Sequence, residues 1–245
     1  MLRYICNRHP EMAITMEFAC LTQLGIPYRR HASWILSRAR ETRIAFDFAF
    51  ARKRQIRLRN SVFALRYAVD LLPSRGQIVS PLAVEAAYRK LFPGAKIVGD
   101  KWPDYVFDLE RLAEFDALRC VIIYRDCRDV VSSTLRMVRT NWKGRPWTAW
   151  MDTPEKVAQR WVRAIRIMKR SKERVYALQY EQLVRNPGET LAELGEWLGV
   201  DPAGFPTNTV DESNIGKFEQ ELGPGELELV LNVAAPVMQE LGYEL

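Results

Sequence analysis

Residues 119–140, Arg-Cys-Val-Ile-Ile-Tyr-Arg-Asp-Cys-Arg-Asp-Val-Val-Ser-Ser-Thr-Leu-Arg-Met-Val-Arg-Thr, constrain the fold more than any other stretch. An apolar β-branched run from Cys120 to Tyr124 breaks into charged residues, then resumes with helical spacing at Val130, Val131, Thr134, Leu135 and Val138. That order predicts strand, short turn, helix. The run is short and apolar on both faces, the pattern of a strand in the middle of a parallel sheet with helices on each side. Arg125 then stands at the carboxyl end of the strand, the edge where open α/β sheets bind ligands. Asp126 is placed to cap the following helix, and Asp129, three residues on, favours its positive end. A helix N-terminus with free N–H groups beside Arg125 is an anion site, and Ser133, two turns along, adds a hydroxyl on the helix flank. An ordinary strand–helix unit, whose charges only cap and solvate the helix, accounts for the same pattern.

At 245 residues the chain fits one domain, expected to span residues 1–245, and is long enough to bury a sizeable core. The formal charge of +6 favours an acidic partner without choosing among nucleic acid, a membrane surface and a polyanionic nucleotide. Four cysteines, Cys6, Cys20, Cys120 and Cys127, form no C-x-x-C pair, and His9 and His31 are the only histidines, so no zinc site is expected. Cys120 reads as a core residue and a reducing cytoplasm as the compartment. No apolar run approaches a membrane span, and the N-terminus lacks the apolar region of a signal peptide.

Arg125-Asp-Cys-Arg-Asp-Val-Val-Ser-Ser133 resembles the Arg-Asp-Pro-Arg-Asp-x-x-x-Ser signature of sulfotransferases that use 3′-phosphoadenosine 5′-phosphosulfate (PAPS). The resemblance implies that Arg125 and Ser133 grip the 3′-phosphate of the nucleotide. Cys127 stands where that family has Pro, which removes no ligand group but some preorganisation of the first helical turn. Three more segments follow the family order. His9-Pro10-Glu11 is similar to the His-Pro-Glu that closes the helix after the family's Gly-rich phosphate loop. The loop and the strand before it do not precede it here, so either the start is placed too late or the chain is a degenerate member. Glu17 falls where several branches carry the base that takes the acceptor's proton; a lone Glu there otherwise reads as a solvated strand end. His9 reads as a turn residue.

Gly99-Asp100-Lys101-Trp102-Pro103, after a predicted strand at Ala95–Val98, resembles the family's Gly-Asp-Lys-Thr-Pro. Lys101 would stabilise charge on the transferring group, on the same sheet edge as Arg125; the bland alternative is a surface turn lysine. Trp102, in place of Thr, would narrow the site or stack on a ligand. Ser213-Asn-Ile-Gly216-Lys217-Phe218 resembles the element that closes over the 3′-phosphate, which makes Lys217 and the Gly216 backbone further contacts; a Gly turn with a solvated Lys is the alternative. Tyr180-Glu181-Gln-Leu183 and the helix after Pro187 match a segment read as architectural.

Between these motifs, a helix over Ala32–Leu72 carries apolar groups at Ala45, Phe46, Phe48, Ala49 and Phe50 and a basic face at Arg52-Lys53-Arg54 and Arg57-Leu58-Arg59. It reads as an amphipathic helix with a solvated face. Further helices are predicted at Pro81–Phe92 and from Thr153-Pro154 to Ser171, a strand at Val175–Gln179, a Trp-bearing loop at Asn141–Asp152, and a last helix over Glu226–Leu241 packed on the sheet. Together these readings give an α/β three-layer α/β/α domain with a central parallel sheet, of the P-loop-like sulfotransferase kind, with its first strand and loop missing. The resemblance implies sulfonyl transfer from PAPS to a hydroxyl or amine acceptor without a metal. Two other readings stay open: an inactive sulfotransferase-like protein that binds a nucleotide or a partner, and a basic polyanion- or RNA-binding protein built on the arginines of residues 38–59, although no nucleic-acid module is recognised.

Overall fold

The computed structural model describes residues 1–41, 53–208 and 212–245. In chain order the elements are α1 (Leu2–Cys6), β1 (Met12–Met16), α2 (Tyr28–Glu41), α3 (Lys53–Asp70), α4 (Pro81–Leu91), β2 (Ile97–Lys101), α5 (Leu109–Ala113), β3 (Cys120–Tyr124), α6 (Cys127–Arg139), α7 (Pro154–Arg170), β4 (Val175–Gln179), α8 (Tyr180–Arg185), α9 (Pro187–Leu198), α10 (Phe218–Glu221) and α11 (Pro224–Glu240). The predicted helix Ala32–Leu72 is described as two helices, α2 and α3. Ala45, Phe46, Phe48, Ala49, Phe50 and Arg52 lie outside the described residues, as do the side chains of Lys53, Arg54, Arg57, Leu58 and Arg59. Among the described residues no helix is long and apolar enough to cross a membrane.

The chain forms two compact units, residues 1–120 with 191–209, and residues 121–190 with 210–245. In the first, β1 and β2 pair in parallel from Met12 opposite Ile97 to Met16 opposite Lys101. Here the sequence expectation is corrected: the strand is not Ala95–Val98 but runs through Gly99, Asp100 and Lys101. The reason is the partner, since β1 offers a paired residue for all of Ile97–Lys101, and the Glu17 N–H extends the ladder to the Lys101 carbonyl at 2.7 Å. The core of this unit is aromatic. Phe18 meets Phe63 and Tyr67 edge-on, each at 5.0 Å between centroids, over Ile35 and Leu71.

His9 is a buried structural residue of the first unit. Its Nδ1 accepts the Glu11 N–H at 3.1 Å, so Nε2 carries the proton and donates to the Asp201 carbonyl at 2.8 Å. Gly204 lies against the ring so closely that a Cβ there would stand 2.4 Å from Nε2. Gly204→Ala is therefore expected to displace His9 and lower stability by about 1–3 kcal/mol, read from the denaturant midpoint.

In the second unit β3 pairs with β4, and helices α6, α7 and α11 enclose a core of Val131, Leu135, Trp161, Ile165, Val230, Ala234 and Met238. The reading of β3 as buried on both faces is corrected. All five of its residues are at least partly exposed, Ile123 at 37%, because β3 has one paired neighbour among the described residues and works as an edge. The single central sheet is likewise described as two two-stranded sheets, so Lys101 and Arg125 end strands of different sheets. Helix α11 takes α7 and α6 as its main partners, with Ile122 and Tyr124 of β3 at the rim of the same cluster. The caps match the sequence. The Asp126 carboxylate accepts the Arg128 N–H at 2.8 Å ahead of α6, and Thr153 with Pro154 opens α7. Cys127 at the first position of α6 is buried in the core, where burial raises its thiol pKa; burial likewise pushes the Cys120 thiol up to about 11.

Candidate active site

In the second unit the residues after β3 converge on Arg125. Its carbonyl accepts the Trp161 indole N–H at 2.9 Å. Its guanidinium lies over the Tyr180 ring at 4.8 Å, donates through Nη2 to the Asn214 carbonyl, and pairs with the Asp129 carboxylate at 2.8 Å. Arg125 Nε is buried without a hydrogen-bond partner. A guanidinium held by a carboxylate, a carbonyl and a ring, with its Nε donor still unpaired, fits an oxyanion such as a phosphate.

Asp129 is the hub of this arrangement and is 1% exposed. Besides Arg125 it accepts the Gly216 N–H at 2.9 Å and the Phe218 N–H at 3.1 Å, which ties the 214–218 loop to α6. The sequence reading gave Asp129 only a helix-end role. What reveals its larger one is the turn at Gly216, whose φ of 74° directs both amides to one carboxylate. The Gly216 N–H, expected at the phosphate, is therefore spent on Asp129, and Gly216 supplies the turn. Lys217 Nζ donates to Asn214 Oδ1 at 2.8 Å, within the same loop. Ser133 lies one turn after Asp129 on the same face of α6, where its neighbour Ser132 donates to Glu221. Glu181, read as architectural, is buried and holds the Asp126 N–H at 3.0 Å and the Tyr243 hydroxyl at 3.0 Å, so it fixes the corner that aims Arg125.

In the first unit Glu17 and Lys101 come together at the carboxyl end of the β1–β2 ladder, joined by the Glu17 N–H to Lys101 carbonyl bond. Glu17 and Ala19 both have left-handed backbone, φ 59° and 56°. Asp100 sits beneath this turn. Its Oδ1 accepts from the Thr15 hydroxyl at 2.7 Å and the Phe18 N–H at 3.2 Å, and its Oδ2 from the Ala19 N–H and the Tyr105 hydroxyl, each at 2.7 Å. Burial raises the Asp100 pKa, and these four bonds oppose the rise. Tyr88 backs Thr15 at 2.9 Å. Burial lowers the Lys101 pKa; Glu17, Asp100 and Asp104 pull it back up, while Arg3 lowers it further. Arg38 from α2, which the sequence reading placed only in a basic face, reaches the Glu17 carbonyl at 3.3 Å and stacks on Trp102 at 4.6 Å, so Trp102 has a protein partner. Among the described residues no group of three His, Cys, Asp or Glu is placed to hold a metal ion.

A model of the sulfotransferase family matches residues 1–203, and the chain belongs to that family of transferases. Among solved structures, the sulfotransferase domain of the olefin synthase from Synechococcus PCC 7002 aligns over 100% of this chain and 90% of its own, with a TM-score of 0.58 and 17% identity. The sulfotransferase from Alicyclobacillus acidocaldarius aligns over 99% of this chain and 90% of its own, with a TM-score of 0.46 and 16% identity. The first likeness bears on fold, and the fold is the P-loop-like α/β fold of sulfotransferases. No curated protein sequence matches the chain.

Proposed function

We propose that this sulfotransferase takes its sulfonyl group from PAPS and delivers it to a hydroxyl or amine of a small or macromolecular acceptor, with residues 1–245 working as one domain in a reducing cytoplasm. The observation that carries the reading is Arg125, held by Asp129, Asn214 and Tyr180 with a buried donor to spare. In this scheme Arg125, Ser133 and Lys217 hold the 3′-phosphate, and Gly216 shapes the loop that brings Lys217 to it. Glu17 takes the proton from the acceptor oxygen or nitrogen as that atom bonds to sulfur. The bond from sulfur to the bridging phosphate oxygen breaks, its electron pair stays on that oxygen, and Lys101 stabilises the charge there. Adenosine 3′,5′-bisphosphate leaves. The protein's contribution is positioning and fixed positive charge.

Incubation of the chain with PAPS and a panel of alcohols, phenols and amines should yield acceptors one SO3 heavier by mass spectrometry, with matching release of adenosine 3′,5′-bisphosphate. Absence of both products across the panel, with a folded protein, would count against the reading.

Because Lys101 acts as a cation and its pKa is lowered, turnover should fall with rising pH at a lower pH than for a free lysine, near 10.4. The sign follows from the charge, since deprotonation removes the stabilising group. Lys101→Arg, charged to above about pH 12, should move that alkaline limb upward by more than about one pH unit in a kcat–pH profile.

A further inference from the structure

We propose that Asp100 is a positioning residue, whose carboxylate holds the left-handed turn Glu17–Ala19 and thereby keeps the Glu17 side chain beside Lys101. The proposal rests on the reading of Glu17 as the acceptor's base. Non-glycine residues with φ near 60° cost of order 1–3 kcal/mol each and persist only where their surroundings over-determine them. Here two occur within three residues, at Glu17 and Ala19. Their restraint is visible, because the N–H groups of Phe18 and Ala19 both point at Asp100, one at each carboxylate oxygen. The remaining lone pairs are taken by Thr15 from β1 and Tyr105 from the segment after β2, so the carboxylate is itself held from two sides. Asp100 directly precedes Lys101 in β2, and Glu17 directly follows β1. One carboxylate therefore sets the relative position of the two groups that the reaction needs.

This arrangement explains why an acidic residue stands at a position where a small polar one would complete the strand. Asparagine offers one acceptor oxygen and one NH2 group with two donor hydrogens. It would satisfy either the Thr15 and Phe18 pair or the Ala19 and Tyr105 pair, and face the other with an NH2 group. The turn would then lose an anchor, and the strain at Glu17 and Ala19 would relax toward right-handed or extended backbone.

The test uses the full chain, with amide hydrogen exchange at Phe18 and Ala19 and with the Lys101 ammonium titration followed by carbon-13 NMR of its ε-carbon. In the otherwise native chain, Glu17→Gln should lower the Lys101 pKa, because the neighbouring carboxylate that raises it is lost. In Asp100→Asn the two amides should exchange about tenfold faster or more, the loss of one hydrogen bond of about 1.4 kcal/mol, and Glu17→Gln should no longer move Lys101. Should Asp100→Asn fail to fold, Tyr105→Phe removes one donor and leaves the ring, and should shift both readouts in the same direction by less. Wild-type exchange and an undiminished effect of Glu17→Gln in either variant would overturn the proposal. The base reading fails separately, if Glu17→Gln leaves PAPS turnover intact while exchange and titration behave as expected.

Discussion

Asp129→Ala is expected to weaken binding of adenosine 3′,5′-bisphosphate by about fivefold or more and to destabilise the chain by about 3 kcal/mol. The stability term follows from what the substitution leaves behind. Asp129 is buried and pairs with Arg125, whose side chain is only 18% exposed. Removing one member of such a pair costs about 3–5 kcal/mol when the survivor stays dry, and the partial exposure of Arg125 favours the lower end. The Gly216 and Phe218 amides lose their acceptor at the same time. The binding term has two opposed parts. Taking a carboxylate away from a phosphate site should by charge alone strengthen binding, by up to about 4 kcal/mol for a contact pair near a protein surface. Against this, the 214–218 loop and Arg125 must be ordered anew when the nucleotide binds. Ordering the five residues of that loop costs about 5–10 kcal/mol, which exceeds the electrostatic gain and gives the net loss. The sign of the change in a calorimetric titration therefore distinguishes an organising Asp129 from a merely neighbouring one. Asp129→Asn, which keeps one acceptor oxygen, should fall between the wild type and Asp129→Ala.

Glu17→Gln is expected to lower kcat for sulfonyl transfer by about 10²–10⁴, the range of a positioned general base, with the KM for PAPS unchanged. Glutamine matches the shape of the side chain and keeps the backbone bond from Glu17 to Lys101, so the left-handed turn and the Asp100 cage should survive. What is lost is the capacity to accept a proton. A nucleophile of higher acidity needs less help, so the loss should be smaller for a phenol than for an aliphatic alcohol when both are turned over. A KM effect without a kcat effect would assign Glu17 to acceptor binding instead.

The strand at 120–124 and the Asp126 cap of the helix after it could be read to the residue, because an apolar β-branched run followed by an Asp and helical spacing leaves few alternatives. The same holds for Val175–Gln179 and for the Thr153-Pro154 start of α7. Strand β2 was misplaced by two to three residues. Its Gly-Asp-Lys reads as a turn in isolation, and only pairing with β1 makes it a strand. Burial of β3 was misjudged for the converse reason, since an apolar run does not reveal how many neighbours it pairs with. Short motifs named Arg125, Lys101 and Glu17 because they stand at strand ends. They missed Asp129, Asp100, Arg38 and Glu181, whose importance lies in hydrogen bonds to backbone far away in sequence, such as Asp129 to Gly216 and Glu181 to Tyr243. A carboxylate that holds a loop has no local signature; its spacing is that of any capped helix or strand end. The reading of a basic face over residues 52–59 rests on side chains outside the described residues.

The most direct measurement is an isothermal titration of the full chain with adenosine 3′,5′-bisphosphate, with ATP as comparator and Arg125→Ala/Ser133→Ala as control. Saturable binding of the bisphosphate, at least tenfold tighter than ATP and lost in the double variant, is the expected result. Equal affinity for the two nucleotides, undiminished binding in the double variant, or no binding to the folded wild-type chain would contradict Arg125 and Ser133 as the 3′-phosphate site.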